Sequence, residues 1–224
     1  YNVGGIVGRQ SGYLDGCSNS GDITLAIAKT ANNWEAAGGI VGFYDGTDGA
    51  ATTNGCTNSG NVSATVNSSN ANIGAGGIAG IIKSGHATNN TNNGAVSMHN
   101  AQSGKTSYAG GIVGYDYNTA DKSNVTGNTN NGAVQATAAG SSTLLAAGGI
   151  VGRNDVGAVA GGKNYGSITC ALHAGSLVGW NRKSVADCVA GGSVNDTALT
   201  AENYAQLAVG FDEGTVSGIT FGQK

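Results

Sequence analysis

The chain predicts an all-β fold, a parallel β-solenoid (β-helix) of tandem Gly/Asn-rich repeats, and three observations carry that expectation. A glycine-rich anchor recurs at near-constant spacing. An asparagine–glycine signature follows each anchor, and each signature opens a short segment that alternates apolar and polar residues. Repeated units with turn residues at the corners and period-two strands between them are the pattern of stacked β coils.

The anchor comes first in each unit. It begins at Gly4, Gly38, Gly76, Gly110 and Gly148, continues as GSLVG from Gly175, and ends in a worn QLAVG from Gln206. The intervals are 34, 38, 34, 38, 27 and 31 residues, so the sequence reads as a single repeat domain over 1–224 with six clear units and a degenerate seventh. The alternation of 34 and 38 implies that a pair of units was itself duplicated. Either one unit is one large coil of about 36 residues, or it is two coils of about 17.

The signature follows as NSGDI from Asn19, NSGNV from Asn58, NNGAV from Asn92, NNGAV from Asn130 and NYGSI from Asn164, with a weakened AGGSV from Ala190. Its glycines are Gly21, Gly60, Gly94, Gly132, Gly166 and Gly192. The strand after each signature turns Ile23, Leu25 and Ile27 to one side, then Val62, Ala64 and Val66, and likewise Val96 with Met98, Val134 with Ala136, and Ile168 with Cys170 and Leu172. No segment keeps apolar residues at helical spacing, so helix content is expected to be very low. Glycine at a corner serves either positive φ or close backbone approach. Asparagine suits turns and, stacked in register, forms hydrogen-bonded ladders.

Composition agrees. The chain has 41 glycines and no proline, where average usage gives about 11 prolines, and proline is excluded from paired interior strands. Glycine without proline argues against collagen and ordinary linkers. A formal charge of −3 offers nucleic acid no basic footprint. No apolar run long enough to span a bilayer is present, so no membrane insertion of this segment is expected. The opening YNVGGIVGRQ lies inside a repeat, which reads as a mature product or a piece of a larger polypeptide.

At GGIVGRQSGYLDGCSNSGDI (Gly4 to Ile23) and GGIVGFYDGTDGAATTNGCTNSGNV (Gly38 to Val62) the chain resembles the GLUG-motif repeats of large bacterial surface and secreted proteins, including immunoglobulin A peptidases and adhesin-like proteins. The resemblance covers nearly the whole chain. It implies an extracellular, cell-surface β-helix region and contributes no catalytic residue, since the zinc-binding HExxH of the peptidases is absent.

Several residues have chemistry to offer. Cys17, Cys56 and Cys188 each precede a signature glycine by four residues, a slot held by Asn90 and Asn128 elsewhere, and Cys170 matches Leu25, Ala64 and Met98. They read as small core residues, with disulfides Cys170–Cys188 or Cys17–Cys56 as the alternative. His86, His99 and His173 fall at unrelated positions. Asp45 with Asp48, and Asp116 with Asp121, lie in matching places of the two longest arcs. They offer the oxygen ligands calcium takes, although turn formation explains them equally. The position after each anchor reads Arg9, Phe43, Ile81, Tyr115, Arg153, Trp180 and Phe211. Phe43, Tyr44, Tyr115, Tyr117 and Trp180 are the candidate binding residues, as an aromatic ladder for sugar rings or a host protein. The alternative is packing of the arcs onto the coil. An outward polar row is also expected at Thr24, Ser63, Ser97, Gln135, Thr169, Asn195 and Ser217.

The leading functional expectation is a non-catalytic stalk or adhesin module with a glycan or host-protein ligand and no resident cofactor, calcium apart. A polysaccharide-degrading β-helix enzyme is the rival. It needs clustered carboxylates, and the 13 acids and 10 bases are dispersed. End-to-end self-association through exposed strand edges is the third class.

Overall fold

The computed structural model describes residues 1–28, 34–46, 50–67, 72–101, 106–117, 123–140 and 144–224. It is a parallel β-solenoid, and one anchor interval is one coil. The second coil shows the plan, with strands Glu35–Gly38, Val41–Asp45, Thr52–Asn54, Thr57–Asn58 and Val62–Val66 on five successive faces. Gly38 pairs with Gly4 below and Gly76 above, and Asn58 with Asn19 and Asn92. In the third coil a single strand, Ala79–Thr88, runs across the second and third faces and joins them into one sheet. The large-coil reading therefore holds and the 17-residue reading does not.

The 38-residue coils carry their four extra residues at one corner. Between the paired positions Tyr44/Ile82 and Thr52/His86 the second coil takes the longer path, and the fourth does so between Asp116 and Asn124. Those are the two acidic arcs. The 27-residue interval comes from shortening the link between the fifth and first faces, where Leu172 is left 45% exposed rather than inward as the alternation predicts.

Above the sixth coil the pattern changes. Ser193–Val194 pairs antiparallel with Thr197–Ala198, and a short helix, Tyr204–Leu207, stands where the first face would continue. The stack resumes at Val209–Asp212, Thr215–Ser217 and Thr220–Phe221. Ser217 consequently stacks on Ala186 of the third face and not on the polar row predicted for it.

The interior explains why two signatures recur. Ile40, Ile78, Ile112, Ile150 and Leu177 stack as one column, each amide donating to the next carbonyl at 3.1, 3.0, 3.1 and 2.8 Å. Beside it runs a column of amides. Asn19, Asn58, Asn92 and Asn130 each pass one Nδ2 proton to the Oδ1 of the asparagine above, the last to Asn164, at 2.9, 2.9, 2.9 and 2.8 Å. The other proton goes to the carbonyl two residues on, at 2.8 Å for Asn130 to Gly132. Only a short carboxamide meets both demands in a buried slot.

The second anchor glycine faces that column. A Cβ at Gly111 would lie 2.3 Å from Asn130 Cγ and 2.1 Å from the Gly149 carbonyl, and Gly39, Gly77 and Gly149 are alike. None of these glycines has positive φ, so close approach is what demands them. Positive φ recurs from coil to coil along a different row, the corner between the third and fourth faces. Gly16, Gly55, Asn89, Gly127, Gly161, Asp187 and Gly218 all sit there at φ between 54° and 68°.

Candidate ligand-binding face

Successive residues of a strand point to opposite sides, and this divides the predicted aromatic set. On the second face Arg9, Phe43, Ile81, Tyr115, Arg153, Trp180 and Phe211 stand in continuous register and point outward. Gln10, Tyr44, Ile82, Asp116, Asn154, Asn181 and Asp212 form the adjoining row and point inward. Tyr44 is accordingly no surface residue. It is fully buried, its hydroxyl lies 2.6 Å from Thr53 Oγ1, and burial pushes its pKa far up.

The outward row meets a second outward row on the first face: Asn2, Ala36, Gly74, Tyr108, Ala146 and His173. Where this second row is small, the larger residues of the first lean over it. The result is an apolar cluster separate from the interior: Phe43, Ile81, Tyr108 and Tyr115 with Ala36 and Ala146, flanked by half-buried Trp34, Tyr117 and Trp180. Phe43 and Tyr115 are only 5% and 4% exposed, so they form the floor of this face, and a partner would meet the flanking rings.

Trp34 stacks on Tyr117 with centroids 4.1 Å apart, and Tyr108 lies 4.7 Å from Tyr115. The Arg153 guanidinium is held 4.3 Å above Trp180 and within 5.4 Å of Tyr108 and Tyr115. Its Nε donates to Asp155 at 2.8 Å and its Nη1 to the Tyr108 hydroxyl, while the Tyr115 hydroxyl donates to Asp155 at 2.6 Å. Burial works against the arginine's charge, but Tyr108 and Asp155 outweigh it and hold the pKa above its ordinary value. The stacked cation is therefore fixed in place.

Both ends of the strip are polar. At one end Arg9 and Lys83 both pair with Asp45, which holds its carboxyl below the usual range. With Trp34, Phe43, Tyr1 and Asn2 they line a cleft of about 330 Å³. At the other end His173, Trp180 and Phe211 cluster at 5.0–5.5 Å, and Trp180 Nε1 donates to Glu213 at 2.9 Å. Burial lowers the His173 pKa. Arg182 pairs with Glu213 at 3.2 Å, and both also line a cleft of about 470 Å³ on the third face.

Of the predicted calcium ligands, Asp45 and Asp116 fall among the described residues. Asp45 is occupied by the two cations. Asp116 is buried beneath the surface, where Ser123 Oγ donates to it at 2.7 Å and desolvation lifts its pKa to about 7. Asp48 and Asp121 lie outside the described residues, among which no group of three or more His, Cys, Asp or Glu side chains could hold a metal ion.

Trp34, Tyr108 and His173 belong to the strip although the sequence reading passed over them. Tyr108 and His173 occupy the slot two residues before the anchor glycine, where the other coils have small residues or Asn2, so a column-by-column alignment exposes them. Trp34 lies outside both signatures and gives no such signal.

No family model matches the chain, and no curated protein matches it. Among solved structures it is similar to the crystal structure of a candidate immunoglobulin A1 protease from Bacteroides ovatus, at 18% identity and a TM-score of 0.46, over 95% of this chain and 54% of that one. The chain thus spans about half the length of that structure. The GLUG resemblance rests on the quoted motifs alone. No helix among the described residues is long and apolar enough to cross a membrane.

Proposed function

We propose that the chain is a non-catalytic repeat module of a secreted or surface-attached bacterial protein, an adhesin or stalk segment that presents the aromatic–arginine strip to a glycan. The observation that supports this reading is the strip itself. Seven coil positions in strict register place four rings, two guanidinium groups and Ile81 along one outer side, over a scaffold whose interior is filled by other residues. Ring faces suit the C–H faces of sugars, and fixed cations and carboxylates beside them suit hydroxyls. The spacing of about 4.8 Å per coil makes the strip a repeated surface, on which weak contacts add through avidity.

The test is a glycan array probed with the native chain and with a variant carrying Trp34→Ala, Tyr117→Ala, Trp180→Ala and Phe211→Ala. Binding lowered by on the order of tenfold or more, with circular dichroism unchanged, supports the assignment. Equal binding by both proteins removes the strip from consideration, and release of reducing or unsaturated sugars from a polysaccharide panel replaces this reading with the enzymatic one.

A further inference from the structure

The corner between the third and fourth faces stacks one inward slot from coil to coil, one residue before each strand of the fourth face. Its occupants are Cys17, Cys56, Asn90, Asn128, Gly162 and Cys188. The slot aims consecutive side chains at each other, as Asn90 Nδ2 donating to Asn128 Oδ1 at 3.0 Å demonstrates. Cys17 and Cys56 are its first two rungs. The Thr57 amide donates to the Cys17 carbonyl at 2.8 Å and the Thr91 amide to the Cys56 carbonyl at 2.9 Å, so the ladder is unbroken through both cysteines. Their Cα atoms are then one strand spacing apart, about 4.8 Å, inside the window of about 4.4–6.8 Å that a disulfide spans.

The Cys56 sulfur leans toward the first coil. Cys56 Sγ is 3.5 Å from its own coil's Asn54 carbonyl and 3.9 Å from the Leu14 carbonyl, which belongs to the coil of Cys17. Cys17 Sγ lies 3.7 Å from the Asp15 carbonyl, two residues before it. The other two thiols have no such neighbour. Cys188 has Gly162 on the rung below, and Cys170 stacks on Ala136 in a different sheet. The sequence left two pairings open, and the register favours one.

We propose that Cys17 and Cys56, both thiols in this structure, are a cross-linking pair that closes to a disulfide and staples the first coil to the second. The co-reactant is a disulfide, either a small molecule or an oxidoreductase. The Cys17 thiolate attacks one of its sulfurs, forming a mixed disulfide and expelling a thiolate. Deprotonated Cys56 then attacks the Cys17 sulfur, the intramolecular S–S bond forms, and the second thiolate leaves. Two electrons and two protons pass from the pair to the co-reactant, which ends as two thiols. Cys17 is the entry point because it is half-buried, whereas Cys56 is fully buried and burial raises its thiol pKa. The bond would add a covalent tie to the backbone ladder between two successive coils.

The chain, kept reduced or exposed to excess oxidised glutathione at mildly alkaline pH, tests this. Under denaturing alkylation the oxidised protein should retain two of its four thiols, and a peptide map should join Cys17 to Cys56. Cleavage by a non-specific protease within residues 1–28 should slow on the order of tenfold. Cys170→Ser with Cys188→Ser should still close, while Cys17→Ser should not. Four alkylatable thiols after oxidation, an unresolved glutathione adduct on Cys17, or a bond to Cys170 or Cys188 would overturn it.

Discussion

Coils two to five and the sixth fill one pair of facing slots in different ways. In the former an asparagine of the fourth face opposes a bare glycine of the anchor: Asn58 and Gly39, Asn92 and Gly77, Asn130 and Gly111, Asn164 and Gly149. In the sixth coil the asparagine is Ala190 and the glycine is Ser176. The hydroxyl there takes the place of the lost amide, accepting from Asn164 Nδ2 at 3.3 Å and donating to the Gly191 carbonyl at 3.0 Å. The two signatures are thus one interaction seen from its two sides. When one side shrinks, the other grows, and the polar column ends on a hydrogen bond without leaving an orphaned donor.

The same alanine placed on each side of this comparison should behave very differently. Gly111→Ala drives a methyl against the Gly149 carbonyl and Asn130, neither of which is free to withdraw, and should cost about 3–5 kcal/mol. Ser176→Ala removes only a hydroxyl and should cost about 1 kcal/mol. Urea titration of both variants is the check, and equal losses would mean that close approach is not what fixes the glycine. Next in size is Asn130→Ala, which copies the sixth coil's alanine into the fourth without its serine. It strands the Asn92 donor and the Asn164 acceptor, for about 2–3 kcal/mol, measured the same way.

The inward row at the corner between the second and third faces offers the smallest and most specific contrast. Asn154 and Asn181 continue an amide column there, Asn154 Nδ2 to Asn181 Oδ1 at 3.0 Å and Asn181 Nδ2 to Asp212 Oδ1 at 2.7 Å. Asp116, one rung below Asn154, is buried with Oδ2 lacking a partner. Its pKa is raised to about 7 from 3.8. Across that interval the folded chain retains a proton that the unfolded chain has released, so stability falls as pH rises from about 4 to 7 and stays low above it. Asp116→Asn should abolish that slope and stabilise the protein at pH 8 by on the order of 1–2 kcal/mol. Melting curves over this range would show it, and an unchanged slope would place the titration elsewhere.

The sequence carried the architecture because a repeat fixes position. Once Gly38 is matched to Gly76, every residue between them acquires a partner, and the outward row from Arg9 to Phe211 could be read off directly. Coil size was ambiguous because anchor and signature both combine glycine with a strand, and only pairing distinguishes two faces of one coil from two coils. The aromatic set was half legible. Phe43 and Tyr44 are neighbours in sequence and lie on opposite sides of the backbone, and the anchor's own bend hides which of them faces out. Trp34 reaches Tyr115 and Tyr117, two coils away, a contact made by ring size and not by register. Leu172 and Ser217 departed from expectation where coils shorten or restart, because period-two reasoning assumes a strand that continues.

The asparagine column has a calorimetric consequence. Heat capacity on unfolding rises with newly wetted hydrocarbon and falls with newly wetted amide. A solenoid that fills one side of its interior with carboxamide and bare backbone should therefore absorb less heat per degree than the usual increment of about 12–15 cal/mol/K per residue. Its stability curve should be broad and shallow, losing little on cooling.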